Sequence, residues 1–340
     1  MLNRKLFFNI LKFVVFLGIG ILLIWVITKD LTAEQKDELI NSFKVANYWW
    51  VGLSIVIGIL SHYVRALRWK MMLLPMGYNP RISTTFYSVM VAYLANMAVP
   101  RLGEITRCGI VQRYEKVPFD KAVGTIVVER SIDLLCLILV TILLFLTQFT
   151  LIYDFFQEKV LIPIADKFSS GLNMLLILGG SVLVLVVIGI FLVRKFKHTE
   201  TYLRLRIMIM NVRDGIYSIR HLKNLPLFIF YSVFIWVCYF AMVWVCFYAL
   251  EQTMHLGLSE ALAVLVFGTV GIISTPGGIG AYHLIVTETL VALYGLDRTY
   301  AISFSWLAWS AQTVMIIFMG VISLLLLSRV TRITSADETN

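Results

Sequence analysis

The sequence predicts an all-α polytopic membrane protein: six full transmembrane helices plus two re-entrant broken hairpins in an inverted-repeat arrangement. Three observations lead there. Of 340 residues, 59% are hydrophobic and only 14% are charged, against roughly 45–50% and about 25% in soluble domains. Long apolar runs recur along the chain, and two of them are interrupted by proline and glycine at matching places. Basic residues gather in alternate loops. So few charges cannot cover a water-facing surface, which excludes a soluble enzyme, and so much apolar surface excludes a disordered chain.

A spanning helix needs about 20 mainly apolar residues. Six stretches meet this, at about 8–28, 48–67, 120–149, 171–193, 225–250 and 300–328. The first follows Arg4 and Lys5 and resembles a signal peptide. It ends in Thr28-Lys29-Asp30 without a small-x-small cleavage site, so an uncleaved helix is expected. Two further apolar runs are broken. One covers about 82–99, stops at Pro100-Arg101-Leu102-Gly103 and resumes to about 114. The other covers about 259–275, stops at Pro276-Gly277-Gly278-Ile279-Gly280 and resumes to about 294.

Sidedness follows from the basic residues. They cluster at the N-terminus (Arg4, Lys5, Lys12), after the second span (Arg65, Arg68, Lys70, Arg81), at and after the first break (Arg101, Arg107, Arg113, Lys116, Lys121), through the loop from Arg194 to Lys223, and at Arg329 and Arg332. The remaining loops are acidic, with Asp30, Glu34, Asp154, Glu158, Glu251 and Asp297. Both termini are therefore expected in the cytoplasm. On this assignment the segment 82–118 enters and leaves by the cytoplasmic face, and 259–298 does so by the opposite face. Each half reads as span, span, broken hairpin, span. Pro100 lies 52 residues after Tyr48 and Pro276 lies 51 after Leu225. Interruptions at matching places in inverted halves point to a transporter's binding site; two ordinary kinked spans are the plainer alternative. The expected organisation is one membrane domain over 1–330, with halves at about 8–149 and 171–328, and a short cytoplasmic tail over 331–340.

Residues 32–46 and 199–221 mix charged and apolar positions and are expected as interfacial or linker helices. The four cysteines (Cys108, Cys136, Cys238, Cys246) show no CxxC spacing, so neither a disulfide framework nor a metal site is indicated. A net charge of +9 reports orientation in such a chain, and nucleic acid is not an expected partner.

Charges inside spans are costly and mark functional candidates. At the first break, a new helix beginning near Leu102 aims unpaired N–H groups and a positive dipole end inward. Arg101 and Arg107 add fixed charge suited to phosphate, and Gly103 gives room. Glu104 has two readings, a charge at the helix start paired with Arg101 or Arg107, or a proton-coupling group. The second break repeats the device with Gly277, Gly278 and Gly280 and no arginine, and Ser274 or Thr275 as a cap. His283 and Glu288 follow on the returning half-helix, five residues apart and so not on one face. Glu129 and Asp133 share a face at i and i+4, with Arg130 between them, either as a buried network reaching Arg101 or Arg107 or as a coupling group. His62, Arg65 and Arg68 share a face at the end of the second span, to attract anionic head groups or to set orientation with Trp69 as an interface anchor. No zinc-protease, P-loop, kinase or GxSxG motif is present, so no catalytic residue, metal or cofactor is expected and the chain is not expected to be an enzyme.

Four pieces in order carry a resemblance: Arg65-x-x-Arg68-Trp69, PRLGEITR from Pro100 to Arg107, Glu129-Arg130-x-x-Asp133, and TPGGIGAYH from Thr275 to His283. Over about 8–328 the chain resembles the lysylphosphatidylglycerol synthase transmembrane-region family, also called flippase-like domains. The resemblance implies a lipid-handling membrane domain. Relatives flip aminoacylated phosphatidylglycerol made by an attached cytoplasmic synthase, or stand alone and are associated with polyprenyl-linked sugars or hopanoid and outer-membrane lipid traffic. This sequence carries no synthase domain, and has His283 where the glycine motif is often followed by glutamate. The expected function is translocation of an anionic phospholipid, aminoacyl-phospholipid or polyprenyl-phosphate-linked lipid, with membrane lipids as partners and a separate lipid-modifying enzyme as a further one. The alternatives are a transporter or channel for a small anion, or a non-catalytic partner of a lipid-modifying or glycosyltransferase enzyme.

Overall fold

The structure, a computed structural model, describes residues 17–99, 101–158, 162, 222 and 224–337. The expected span at 171–193, the amphipathic segment 199–221, residue 100 and the start of the first span lie outside the described residues. Among those described, all regular structure is helical. In chain order the helices are α1 (Leu17–Thr28), α2 (Ala33–Val45), α3 (Tyr48–Leu73), α4 (Ile82–Ala98), α5 (Leu102–Glu115), α6 (Phe119–Thr147), α7 (Phe149–Phe156), α8 (Leu225–Phe247), α9 (Leu258–Ser274), α10 (Ala281–Tyr294) and α11 (Arg298–Asp337).

Among the described residues, four stretches are long and apolar enough to cross a membrane: Tyr48–Met76, Phe119–Thr147, Leu225–Phe247 and Arg298–Val330. The most apolar part of α6 is only 17% buried within the protein, and Leu135, Ile138, Leu139, Leu143 and Leu146 stand exposed along it. Apolar residues on the outside of a helix belong against lipid, where they cost nothing. This is a multi-pass membrane protein. With 40 residues, α11 is about 60 Å long, and its backbone runs on as helix through Asp337, into the expected tail.

Helix ends follow the local chemistry. Thr32 and Gln35 form a reciprocal capping box on α2 (3.2 and 3.0 Å). Asn47 caps α3 by accepting the Trp49 N–H (3.1 Å), and Asn224 caps α8 by accepting that of Leu227 (3.2 Å). Each cap satisfies a donor that the first helical turn leaves open.

At the centre α3 packs along α8, close enough for the Ser54 hydroxyl to donate to the Met242 carbonyl (3.1 Å). Helices α4 and α5 fold back on each other, as do α9 and α10. The arms have equal lengths: α4 and α9 are 17 residues, α5 and α10 are 14. Helix α11 lies across α3, α4 and α10, and α9 lies against α6 and α8. Two apolar clusters hold the ends together, one around Phe247, Phe304 and Leu290, the other around Trp69, Leu73 and Val111.

Candidate functional site

The first break begins at Val99, which ends α4. Arg101 then takes a left-handed conformation (φ 69°) and starts α5. The N–H of Gly103 donates to Asn96 Oδ1 (2.7 Å), so α4 caps the helix that follows it. A methyl group on Gly103 would stand 2.0 Å from the Ala92 carbonyl oxygen. Glycine is thus required for α5 to lie on α4.

This packing delivers Arg107 to the carboxylates of α6. Arg65 Nη1 donates to Glu129 Oε1 (2.7 Å) and Asp133 Oδ2 (2.8 Å), and its Nη2 to the Tyr239 hydroxyl (3.0 Å). Arg68 Nη2 donates to Asp133 Oδ1 (2.7 Å), and its Nη1 to Ser232 Oγ (3.3 Å). Arg107 Nη2 lies 2.9 Å from Glu129 Oε2, and its guanidinium sits 3.7 Å from the centre of the Trp69 ring, a cation–π contact. Trp69 is fully buried and donates its indole N–H to Thr125 Oγ1 (2.8 Å). It is a supporting wall of the network, not the interface anchor expected of it. Arg65 and Arg68 are likewise buried, which removes the reading of them as mere orientation charges. Of the two partners anticipated for the carboxylates, Arg107 is the one engaged.

Arg130 points elsewhere. Its side chain is 52% exposed and donates to Glu104 Oε1 (3.2 Å). The expected pairing of Glu104 with Arg101 or Arg107 is replaced by this one, because Arg107 turns inward to Glu129. Arg101 itself is exposed.

At the second break Thr275 donates its hydroxyl to the Ile279 carbonyl (2.9 Å), and Trp309 donates its indole N–H to the Gly277 carbonyl (2.7 Å). Gly277, Gly278 and Gly280 all have positive φ. A methyl group on Gly280 would meet the Gly20 carbonyl oxygen at 2.2 Å, so α1 rests directly on this turn. Ser274 instead bonds back to Val270 (2.7 Å). His283 is buried, stacked on Trp306 with ring centres 4.1 Å apart. Glu288 pairs with Arg298 (2.7 Å), so His283 and Glu288 do not form a pair.

The two breaks face each other. Helix α4 touches the turn Pro276–Gly278, and a cavity of about 380 Å³ lies between them, bounded by Asn96, Met97, Arg130, Thr275, Gly277 and Gln312. A neighbouring cavity of about 350 Å³ shares Tyr93, Arg130, Ile272, Ile273 and Gln312 with it. Its polar end is Arg65, Asp133 and Tyr239, and its apolar end is Leu137, Met242, Val243, Val264 and Leu265. Ile273, 72% exposed, stands at the rim. A small crevice beside Gly103, Glu104 and Arg107 also reaches Arg130. Of the residues expected to bind substrate, Arg65 and Gly277 line the larger cavities, and Gly103 and Arg107 the crevice. Arg68, Arg101, Gly278 and Gly280 line none of the three.

Sequence reasoning missed Tyr93, Asn96, Tyr239 and Gln312. The available signal was a lone polar group inside an apolar helix. Among the described residues no group of three or more His, Cys, Asp or Glu side chains is placed to hold a metal ion.

Comparison with known proteins agrees with this architecture. The family model for the lysylphosphatidylglycerol synthase TM region matches residues 9–320. A UPF0104 membrane protein of Methanocaldococcus jannaschii is 28% identical over 120 residues, a match that spans 34% of this chain and 34% of that protein. No solved structure matches significantly. The chain belongs to the lysylphosphatidylglycerol synthase transmembrane-region family.

Proposed function

We propose that this chain is a lipid translocase of a bacterial inner membrane, a transporter and not an enzyme, with both termini in the cytoplasm. The observation that carries the reading is the amphipathic cavity that adjoins the space between the two breaks, with arginine, carboxylate and tyrosine at one end and aliphatic side chains at the other. A small-ion path would be polar throughout, whereas a lipid needs a polar pocket that opens sideways onto hydrocarbon. Ile273 at the rim supplies an apolar opening of that kind.

Two further features support it. Glu129 and Asp133 lie ten and fourteen residues into α6, about 15–21 Å along the helix axis, which is near the middle of a hydrocarbon layer about 30 Å thick. The arms of the broken segments, at 17 and 14 residues, reach only about 25 and 21 Å. Each is short for a crossing and suited to a re-entrant hairpin, and their equal lengths favour an inverted repeat. In this reading an anionic head group occupies the space between the breaks while the acyl chains remain in the bilayer, and rocking of one half on the other exposes the pocket to each side.

Proteoliposomes carrying fluorescent anionic phospholipid test the reading by dithionite accessibility. Wild-type protein is expected to accelerate exchange between leaflets, and Ala308→Trp, which fills the cavity wall, to slow it at least tenfold while leaving the protein folded. No acceleration over protein-free liposomes with any anionic lipid, or full activity in the filled variant, would remove the proposal. Co-purification with a lipid-modifying enzyme in the absence of transport would assign the chain to a supporting role.

A further inference from the structure

We propose that Arg130 is the group that meets the lipid phosphate, and that the site selects a lipid with one negative charge and an uncharged, hydroxyl-bearing head. The inference rests on the lipid-translocase reading and narrows its substrate class.

Arg130 differs from the other arginines of the site. The side chains of Arg65, Arg68 and Arg107 are 5%, 0% and 8% exposed, and each is held by a buried carboxylate. Breaking such a pair is expensive, so these three form a fixed frame. Arg130 is half exposed, borders both large cavities and the crevice, and among the described residues is held by one 3.2 Å ion pair to Glu104, itself 39% exposed. Glu104 borders the crevice and Arg130 all three spaces, so a ligand can reach this pair without disturbing the buried frame. A phosphate can therefore displace Glu104 and take the two parallel donors that a guanidinium offers.

Charge balance sets the valence. Four guanidiniums (Arg65, Arg68, Arg107, Arg130) face three carboxylates (Glu104, Glu129, Asp133), which leaves one positive charge in excess. In a low-dielectric interior that excess calls for one anion. A phosphodiester supplies one charge.

The chamber between the breaks sets the head group. Beyond Arg130 it presents Asn96, Thr275, Gln312 and Thr313 and the Gly277 backbone and, among the described residues, no carboxylate. Asn96 accepts the Gly103 N–H through Oδ1, which leaves its NH₂ to donate. Gln312 and Thr313 make no side-chain hydrogen bond to any other described residue. These groups match hydroxyls. A cationic aminoacyl head would meet no carboxylate on the described walls of this chamber and would add to a site with more arginines than carboxylates.

Native mass spectrometry of the full chain in neutral detergent, titrated with defined dioleoyl lipids, tests this. Phosphatidylglycerol is expected to bind at least tenfold tighter than lysyl-phosphatidylglycerol or phosphatidylethanolamine. Arg130→Gln should weaken phosphatidylglycerol roughly ten- to hundredfold, the range of a charge-assisted hydrogen bond, and Gln312→Ala should weaken it less. Glu104→Gln should act in the opposite direction and tighten binding, because the competing carboxylate is gone. Equal affinities for the three lipids, or Glu104→Gln and Arg130→Gln both weakening binding as a merely structural pair would, overturn the inference. So does glycerol 3-phosphate binding as tightly as the lipid, which would mark a soluble-anion site. Selective binding with no leaflet exchange in liposomes would sink the translocase reading and leave the selectivity standing.

Discussion

Glu129 is the residue whose loss the structure makes most costly. Its side chain is 2% exposed, and three guanidiniums surround it: Arg65 at 2.7 Å, Arg107 at 2.9 Å and Arg68 at 3.6 Å. Glu129→Gln preserves volume and removes the charge, leaving three buried arginines to the single carboxylate of Asp133. Removing one partner from a buried pair costs about 3–5 kcal/mol. At about 2 °C per kcal/mol for a long chain, the midpoint of thermal unfolding in detergent should fall by about 6–10 °C. Asp133→Asn should cost less, since Asp133 is 14% exposed and serves two arginines. Glu288→Gln breaks a pair whose members are 39% and 43% exposed and should move the midpoint by about 2 °C or less. The double substitution Arg107→Met with Glu129→Met returns the cluster to its wild-type net charge and should unfold at a higher temperature than Glu129→Gln. Tryptophan fluorescence during heating reads all four. A Glu129→Gln protein melting with the wild type, or a double variant no better than the single, would refute the claim that an interdependent buried network holds this site.

Further predictions concern the breaks and the packing around them. Gly103→Ala and Gly280→Ala should both prevent normal folding, as each new methyl group would meet backbone oxygen at 2.0 and 2.2 Å. Gly109→Ala and Gly124→Ala meet nothing within 4 Å and should be neutral or stabilise by up to about 1 kcal/mol; size-exclusion yield and melting temperature distinguish the pairs. Arg101 adopts φ 69°, which costs a side-chain-bearing residue roughly 1–2 kcal/mol, so Arg101→Gly should raise the melting temperature by a few degrees. Trp309→Phe removes the donor to the Gly277 carbonyl, and amide hydrogen exchange at residues 275–281 should quicken relative to that of α8.

Much of the helical layout is legible in the sequence because lipid makes periodicity and length decisive. The spans expected at 48–67, 120–149 and 225–250 appear as α3, α6 and α8, and proline with glycine marks both interruptions to within a few residues, α5 starting at Leu102 as anticipated. Partner choice was not legible. Arg107 turns to Glu129 and Glu104 to Arg130 because of how α5 rolls on α4, and that roll is set by the Gly103 contact, which no local pattern reveals. Trp69 beside two arginines reads as an interface residue, but the close packing of α3 on α6 buries it. Asn96 and Gln312 acquire meaning only when α4 and α11 bring them to one cavity.

The account stands on the two interruptions enclosing one space. Met97 and Gly277 border it from opposite sides. In a background lacking the four native cysteines, Met97→Cys with Gly277→Cys, treated in membranes with a short bis-maleimide and cut at a protease site introduced near residue 222, reports their proximity. The account predicts that the two halves remain joined on a denaturing gel. Halves that separate, although both cysteines take up a monofunctional maleimide, would contradict it.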